Sequence, residues 1–185
     1  RIKKAFESAL YPDTCLACGC FIHLEKRVES NFYHHAKTAS IKAVYQKELS
    51  SFFCASCAGD VTVIQPPFCI QCGKIFKSPS APDHRCGDCI QTAKPYHRIR
   101  SAGLFAGTLA DAIHQFKYAG KTRLAKPLGK ILLTAFRHYF DDLVIDVAVP
   151  VPLHPSKLRQ RGFNQASLLL AQWQKYAPEP GNSLP

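Results

Sequence analysis

The chain has no methionine, no run of 18 apolar residues and few carboxylates. Without such an apolar run, no membrane-spanning helix is expected. The first residues show no charged-then-apolar leader, which argues against export as the reason for its cysteines. The missing methionine, with Arg1 in first place, points either to trimmed ends or to modified methionines left out of the sequence. In the second case some spacings are short by one. Only 13 Asp and Glu stand against 24 Lys and Arg, a formal charge of +11. Residues 112–140 and 147–178 hold no carboxylate at all. A basic balance of this kind favours phosphates or nucleic acid as partners. For 112–140 the plainer reading is a solvated basic face on helices.

What the chain has in excess is cysteine. Eight of its nine cysteines form four Cys-x-x-Cys pairs: Cys15/Cys18, Cys54/Cys57, Cys69/Cys72 and Cys86/Cys89. Two intervening residues let a tight turn aim both sulfurs at one point. Two such turns supply the four thiolates of a structural tetrahedral zinc site. A single pair reads equally as a redox centre, but four pairs with Gly19, Gly73 and Gly87 beside them predict two zinc sites. Each zinc with four thiolates carries −2, so two sites lower the charge from +11 to +7. The 13 residues between Cys72 and Cys86 make a short ribbon loop, which assigns those two pairs to one metal. The other two pairs then meet across 35 residues. An interleaved pairing, first with third and second with fourth, stays open. Cys20 reads as a small half-buried side chain. His23, His34, His35 and His84 read as surface residues, since the cysteines already suffice.

At 185 residues, 46% of them hydrophobic, the chain can form one domain plus a small module. The pattern divides at about residue 95. Residues 1–95 are rich in cysteine, proline and turn residues, and with so little apolar sequence they need metal to fold. Within them 36–49 predicts a short helix with Ala36, Ile41, Val44 and Tyr45 on one face. Lys77–Asp83 reads as a loop. Residues 96–185 read as α/β. Arg98–Phe105 predicts a strand. Thr108 predicts the cap of a helix with Leu109, Ala112, Ile113 and Phe116 inside, closed by Gly120. Leu128, Ile131, Leu132, Ala135, Phe136 and Tyr139 make the stripe of a second helix. Asp146–Val151 predicts a buried parallel strand. A basic loop follows, then a helix over about 164–176. Ligands of open α/β sheets bind beyond the carboxyl ends of strands. The loop residues His154, Lys157, Arg159, Arg161 and Gly162 are therefore candidates for binding phosphate or pyrophosphate.

Several of these motifs together resemble one family. Four Cys-x-x-Cys pairs precede an α/β domain, the third as Cys69-Ile70-Gln71-Cys72-Gly73. Ile113-His114-Gln115-Phe116-Lys117-Tyr118 resembles the family's I-x-x-x-K-[YF] helix. Val149-Pro150-Val151-Pro152-Leu153-His154 is followed by Arg161-Gly162-Phe163-Asn164-Gln165. Over about residues 13–173 the chain resembles the ComF/GntX family of phosphoribosyltransferase-like proteins. The 30–50 insertion is longer than the family pattern.

The resemblance implies a type I phosphoribosyltransferase-like parallel sheet, incomplete in this chain, behind a double zinc-ribbon module at 1–95. It implies a cytoplasmic protein handling single-stranded DNA in natural transformation, with DNA-uptake proteins as partners. It also implies pyrophosphate contact at Pro152–Gly162.

One family element is missing: two aspartates followed by a Thr-Thr-Gly turn. Asp141-Asp142 runs into Leu143-Val144 instead. A truncated chain, inactive as it stands, is therefore expected. Two alternatives accompany the DNA reading. One is an active phosphoribosyltransferase using phosphoribosyl pyrophosphate and magnesium, with Lys157, Arg159 and Arg161 neutralising pyrophosphate. The other is a zinc module for protein association.

Overall fold

The structure is a computed structural model that describes residues 13–22, 41–78 and 82–173. His23, His34, His35, Ala36 and the tail from Ala177 to Pro185 lie outside the described residues. Seven α-helices occur within them: α1 Ile41–Leu49, α2 Ala55–Gly59, α3 Gly87–Gln91, α4 Gly107–Tyr118, α5 Ala125–Tyr139, α6 Pro155–Arg161 and α7 Gln165–Ala171. A 3-10 turn, Thr122–Leu124, joins α4 to α5.

The predicted helical stripes form the core. Tyr45 and Leu49 of α1 are fully buried, with Ile41 and Val44 packed beside them. Leu109, Ala112 and Phe116 of α4 meet Leu128 and Ile131 of α5 in the same cluster, which also takes in Phe53, Val61 and Leu124. Burying each large apolar side chain contributes about 1.5–3 kcal/mol, so this cluster is the main driving force of the fold. Leu133 is buried as well, on a side of α5 the predicted stripe did not include. Pro127 sits in the first turn of α5, where its missing N–H costs nothing. Lys130 Nζ reaches Glu48 Oε1 at 3.0 Å and ties α5 to α1.

Thr108 is not the cap of α4. The cap position is Ala106, with no side-chain bond. The Thr108 hydroxyl instead donates to the Cys57 carbonyl at 2.6 Å. Asp60 takes over the electrostatic part of the cap. Its carboxylate lies where a side chain at Gly107 would project, next to the positive end of the helix.

Both predicted strands fail to form. Among the described residues there are only isolated bridges, Thr14–Phe21, Phe68–Ile75 and Cys69–His84, and no β-strand. Residues 98–104 form a strap instead. Arg98 donates to Asp142 at 2.7 and 2.8 Å and to the Tyr139 carbonyl at the end of α5. Arg100 donates to the Ile70 carbonyl at 2.9 Å and covers the Phe68 ring. Residues 146–151 have no regular structure and are not buried: Val147, Val149 and Val151 are 72%, 75% and 75% exposed. A strand is completed by its neighbour's backbone, and no neighbour runs beside this segment among the described residues. The basic loop is also more regular than expected, since 155–161 winds into α6.

Candidate metal centres and the basic loop

The eight paired cysteines gather into two groups, Cys15/Cys18/Cys54/Cys57 and Cys69/Cys72/Cys86/Cys89. Within each group the four sulfurs lie within 4.8 Å of one another. This is the sequential pairing, not the interleaved one. A tetrahedron with zinc–sulfur bonds of about 2.3 Å has edges of about 3.8 Å. Cys18 and Cys54 sulfurs stand 3.8 Å apart, and those of Cys72 and Cys86 stand 3.7 Å apart. The donor set and its size therefore fit zinc, and both groups are compatible with it.

The two centres are built the same way. The first pair of each lies in a knuckle. Cys15 N–H donates to the Cys20 carbonyl at 2.7 Å, and Cys69 N–H donates to the Lys74 carbonyl at 2.8 Å. Gly19 and Gly73 return N–H bonds of 2.9 Å to the Cys15 and Cys69 carbonyls. These glycines have φ of 75° and 74°, a left-handed turn that costs other residues energy. The second pair of each opens a helix: Cys54 precedes α2 and Cys86 precedes α3, both as N-cap residues. A helix start aims unpaired N–H groups outward and favours negative charge there.

Backbone donors favour the thiolates. Burial opposes the charged form of Cys69, but N–H groups of Cys86, Cys72 and Gln71 outweigh it and bring the thiol down to about 6. Cys15 behaves alike. Burial is outweighed by N–H groups of Cys18, Cys54 and Ala17, again to about 6.

The surroundings of the two centres differ. The first is continuous with the main core, where Cys15 is buried among its residues, and Thr108 braces the Cys57 carbonyl. The second has its own small cluster with Phe76. It is tied in by the Ile99 N–H to the Gln71 carbonyl at 2.8 Å and by Arg100. Sequence reasoning missed these braces. The only available signal was the arginine spacing at 98 and 100. Cys20 is exposed rather than half-buried, because the knuckle turns it outward, and its sulfur is 3.4 Å from that of Cys18. The hydrogen bond to Cys18 pushes the Cys20 thiol up to about 12. His84 is exposed and outside the metal group, and it stacks on Phe76 at 4.2 Å and bonds the Pro82 carbonyl beside the second knuckle.

The five predicted phosphate-loop residues share α6 and its caps. His154 is the N-cap and accepts from Ser156 N–H at 3.3 Å. Lys157 donates to Gln160 at 3.2 Å, and Arg159 is exposed. Arg161 lies over the Tyr118 ring at 5.1 Å and donates to Gln165 at 3.1 Å. Among the described residues no ion pair joins Arg161 to Asp146. Gly162, with φ of 78°, ends the helix. Phe163 then packs on Phe116.

A double zinc ribbon domain model matches residues 45–90. The DNA utilization protein YhgH of Salmonella typhimurium is 33% identical over 126 residues, 65% of this chain and 54% of that protein. Competence protein F of Haemophilus influenzae is 25% identical over 145 residues, covering 70% and 62%. Competence protein ComFC of Bacillus subtilis is 26% identical over 122 residues, covering 63% and 49%. Over about two thirds of its length the chain is similar to ComF-like proteins. This ComF-like chain spans about half the length of the curated relatives it matches. No solved structure matches it. Among the described residues no helix is long and apolar enough to cross a membrane.

Proposed function

We propose that this ComF-like chain belongs to a cytoplasmic protein that handles single-stranded DNA during DNA uptake, alongside other uptake proteins. The observation that carries this reading is the kinship with proteins named for DNA utilization and competence. The charge distribution supports it. Arg161 rests on Tyr118, so the cations of α6 adjoin the end of α4, where Lys117, Lys121 and Arg123 follow one another without a carboxylate. In this reading the zinc centres are structural, and the division at residue 95 separates the ribbon module from an α/β part. For the whole protein we extend the proposal to a phosphoribosyltransferase-like sheet. The exposed valines of 147–151 would be one of its strands, and His154, Lys157, Arg159, Arg161 and Gly162 would lie at its phosphate-binding end. Phosphoribosyl transfer with magnesium has no support beyond that loop motif.

The test is a salt titration of the full-length protein with a labelled single-stranded oligonucleotide. Binding by Lys and Arg releases counterions, so affinity should fall linearly on a log–log plot against salt. Absence of binding at low salt would remove direct DNA handling and leave only a role through protein partners.

A further inference from the structure

The stretch from Phe105 to Tyr118 places a row of rings on the surface, and Arg161, distant in sequence, joins its end. Phe105 and His114 have centroids 5.6 Å apart, and His114 and Tyr118 are 5.7 Å apart. The Arg161 guanidinium lies 5.1 Å over the far end of the row, above Tyr118. Phe105 is 60% exposed and Tyr118 69% exposed, and His114 is exposed between them. Single exposed aromatics are ordinary, but here three exposed rings are in contact, inclined at 43° and 89° to one another, with a guanidinium over one face of the last. The row is rigid. His114 and Tyr118 are one helical turn apart on α4, whose other side is buried through Leu109, Ala112 and Phe116. Phe116 packs against Phe163 at 5.6 Å, which fixes the Arg161 end.

We propose that Phe105, His114, Tyr118 and Arg161 are a stacking platform for the bases of single-stranded DNA. The inference rests on the DNA reading above and assigns it a surface. Base stacking on aromatic rings is tolerant of sequence and needs unpaired bases, which a duplex does not offer. Charge complementarity selects a polyanion as occupant. Lys117, Lys121 and Arg123 lie in and after α4, and Lys157 and Arg159 lie on α6 before Arg161. The acidic exception on α4 is Asp111, one turn ahead of His114. The Tyr118–Arg161 end is therefore the electropositive one, where backbone phosphates would sit.

The test measures anisotropy of labelled oligothymidine, about 15 nucleotides long, with the full-length protein at low salt. The wild type is compared with Phe105→Ala, His114→Ala, Tyr118→Ala, the triple variant and Tyr118→Phe. Each ring removed should weaken binding about tenfold, while Tyr118→Phe binds as the wild type does. An abasic deoxyribose-phosphate oligomer should bind the wild type weakly, and the substitutions should not change that binding. Melting temperature and zinc content show whether each variant is folded. If the triple variant is folded and binds oligothymidine like the wild type, the platform is wrong and the DNA reading survives. If the wild type does not bind at all, both fall. If the triple variant loses self-association while oligothymidine binding is unchanged, a second copy of the chain covers the row and the proposal is overturned.

Discussion

Gly19 and Gly73 stand at the same place in two matching knuckles, yet their surroundings differ. A Cβ at Gly19 would meet open space, whereas one at Gly73 would stand 2.9 Å from the Ile99 carbonyl oxygen. Both have left-handed backbones, so Gly19→Ala should cost about 1–2 kcal/mol from strain alone. Gly73→Ala should cost more, because backbone must shift and loosen the Ile99–Gln71 bond. Thermal melts of the two variants check this, and equal losses would refute the role given to the strap. Tyr45 offers an opposite case. It is fully buried, and among the described residues its hydroxyl has no partner. Tyr45→Phe should leave stability unchanged or raise it, since an unpaired buried hydroxyl carries a desolvation cost. A loss above about 1 kcal/mol would mean that the hydroxyl has a partner after all. At this scale the Cys-x-x-Cys spacing made the metal groups legible. The role of Thr108 was not legible, because its partner Cys57 is 51 residues away, nor was the exposure of Cys20, because spacing alone does not say which way the knuckle turns it.

Among the elements, helices were legible and strands were not. A helix satisfies its own backbone, so its apolar stripe is written locally, as Leu109/Ala112/Phe116 and Leu128/Ile131/Ala135 show. The segments 98–105 and 146–151 have strand composition, but a strand also needs a neighbour, which composition does not supply. The strap is instead held by side chains. Asp142, beside Arg98, is held below the usual carboxylate range by the hydrogen bonds Arg98 donates. A carboxyl depressed in the folded state stabilises the fold above its unfolded value, and that stability is lost as pH falls through the folded value. Melting temperature should therefore drop on acidification, and Asp142→Asn should remove part of that drop. Identical acid profiles for variant and wild type would show that the pair contributes nothing. Helix α7 packs at Gly129 of α5, where an added Cβ would stand 2.9 Å from Gln172 and 3.0 Å from the Leu169 carbonyl oxygen. The Gly129 carbonyl also accepts from the Trp173 indole at 3.2 Å. Gly129→Ala should push α7 away and red-shift tryptophan emission, a clean readout because the chain has one tryptophan.

At the scale of the whole molecule, the first metal centre and the helical core are one construction. Cys15, Tyr45 and Phe53 share a cluster with α4 and α5. Losing the first zinc should therefore cost global stability, while losing the second should loosen mainly its own small cluster and the strap. The charge distribution was legible in the sequence. The aromatic row beside it was not, because Phe105 and Arg161 join the His114–Tyr118 pair of α4 only after folding. The most direct test of the account is the zinc content of freshly purified, reduced protein by elemental analysis. Two zinc ions per chain are expected, about one after Cys86→Ser, and still two after Cys20→Ser. One zinc or none in the wild type, or a loss on replacing Cys20, would contradict two four-thiolate centres.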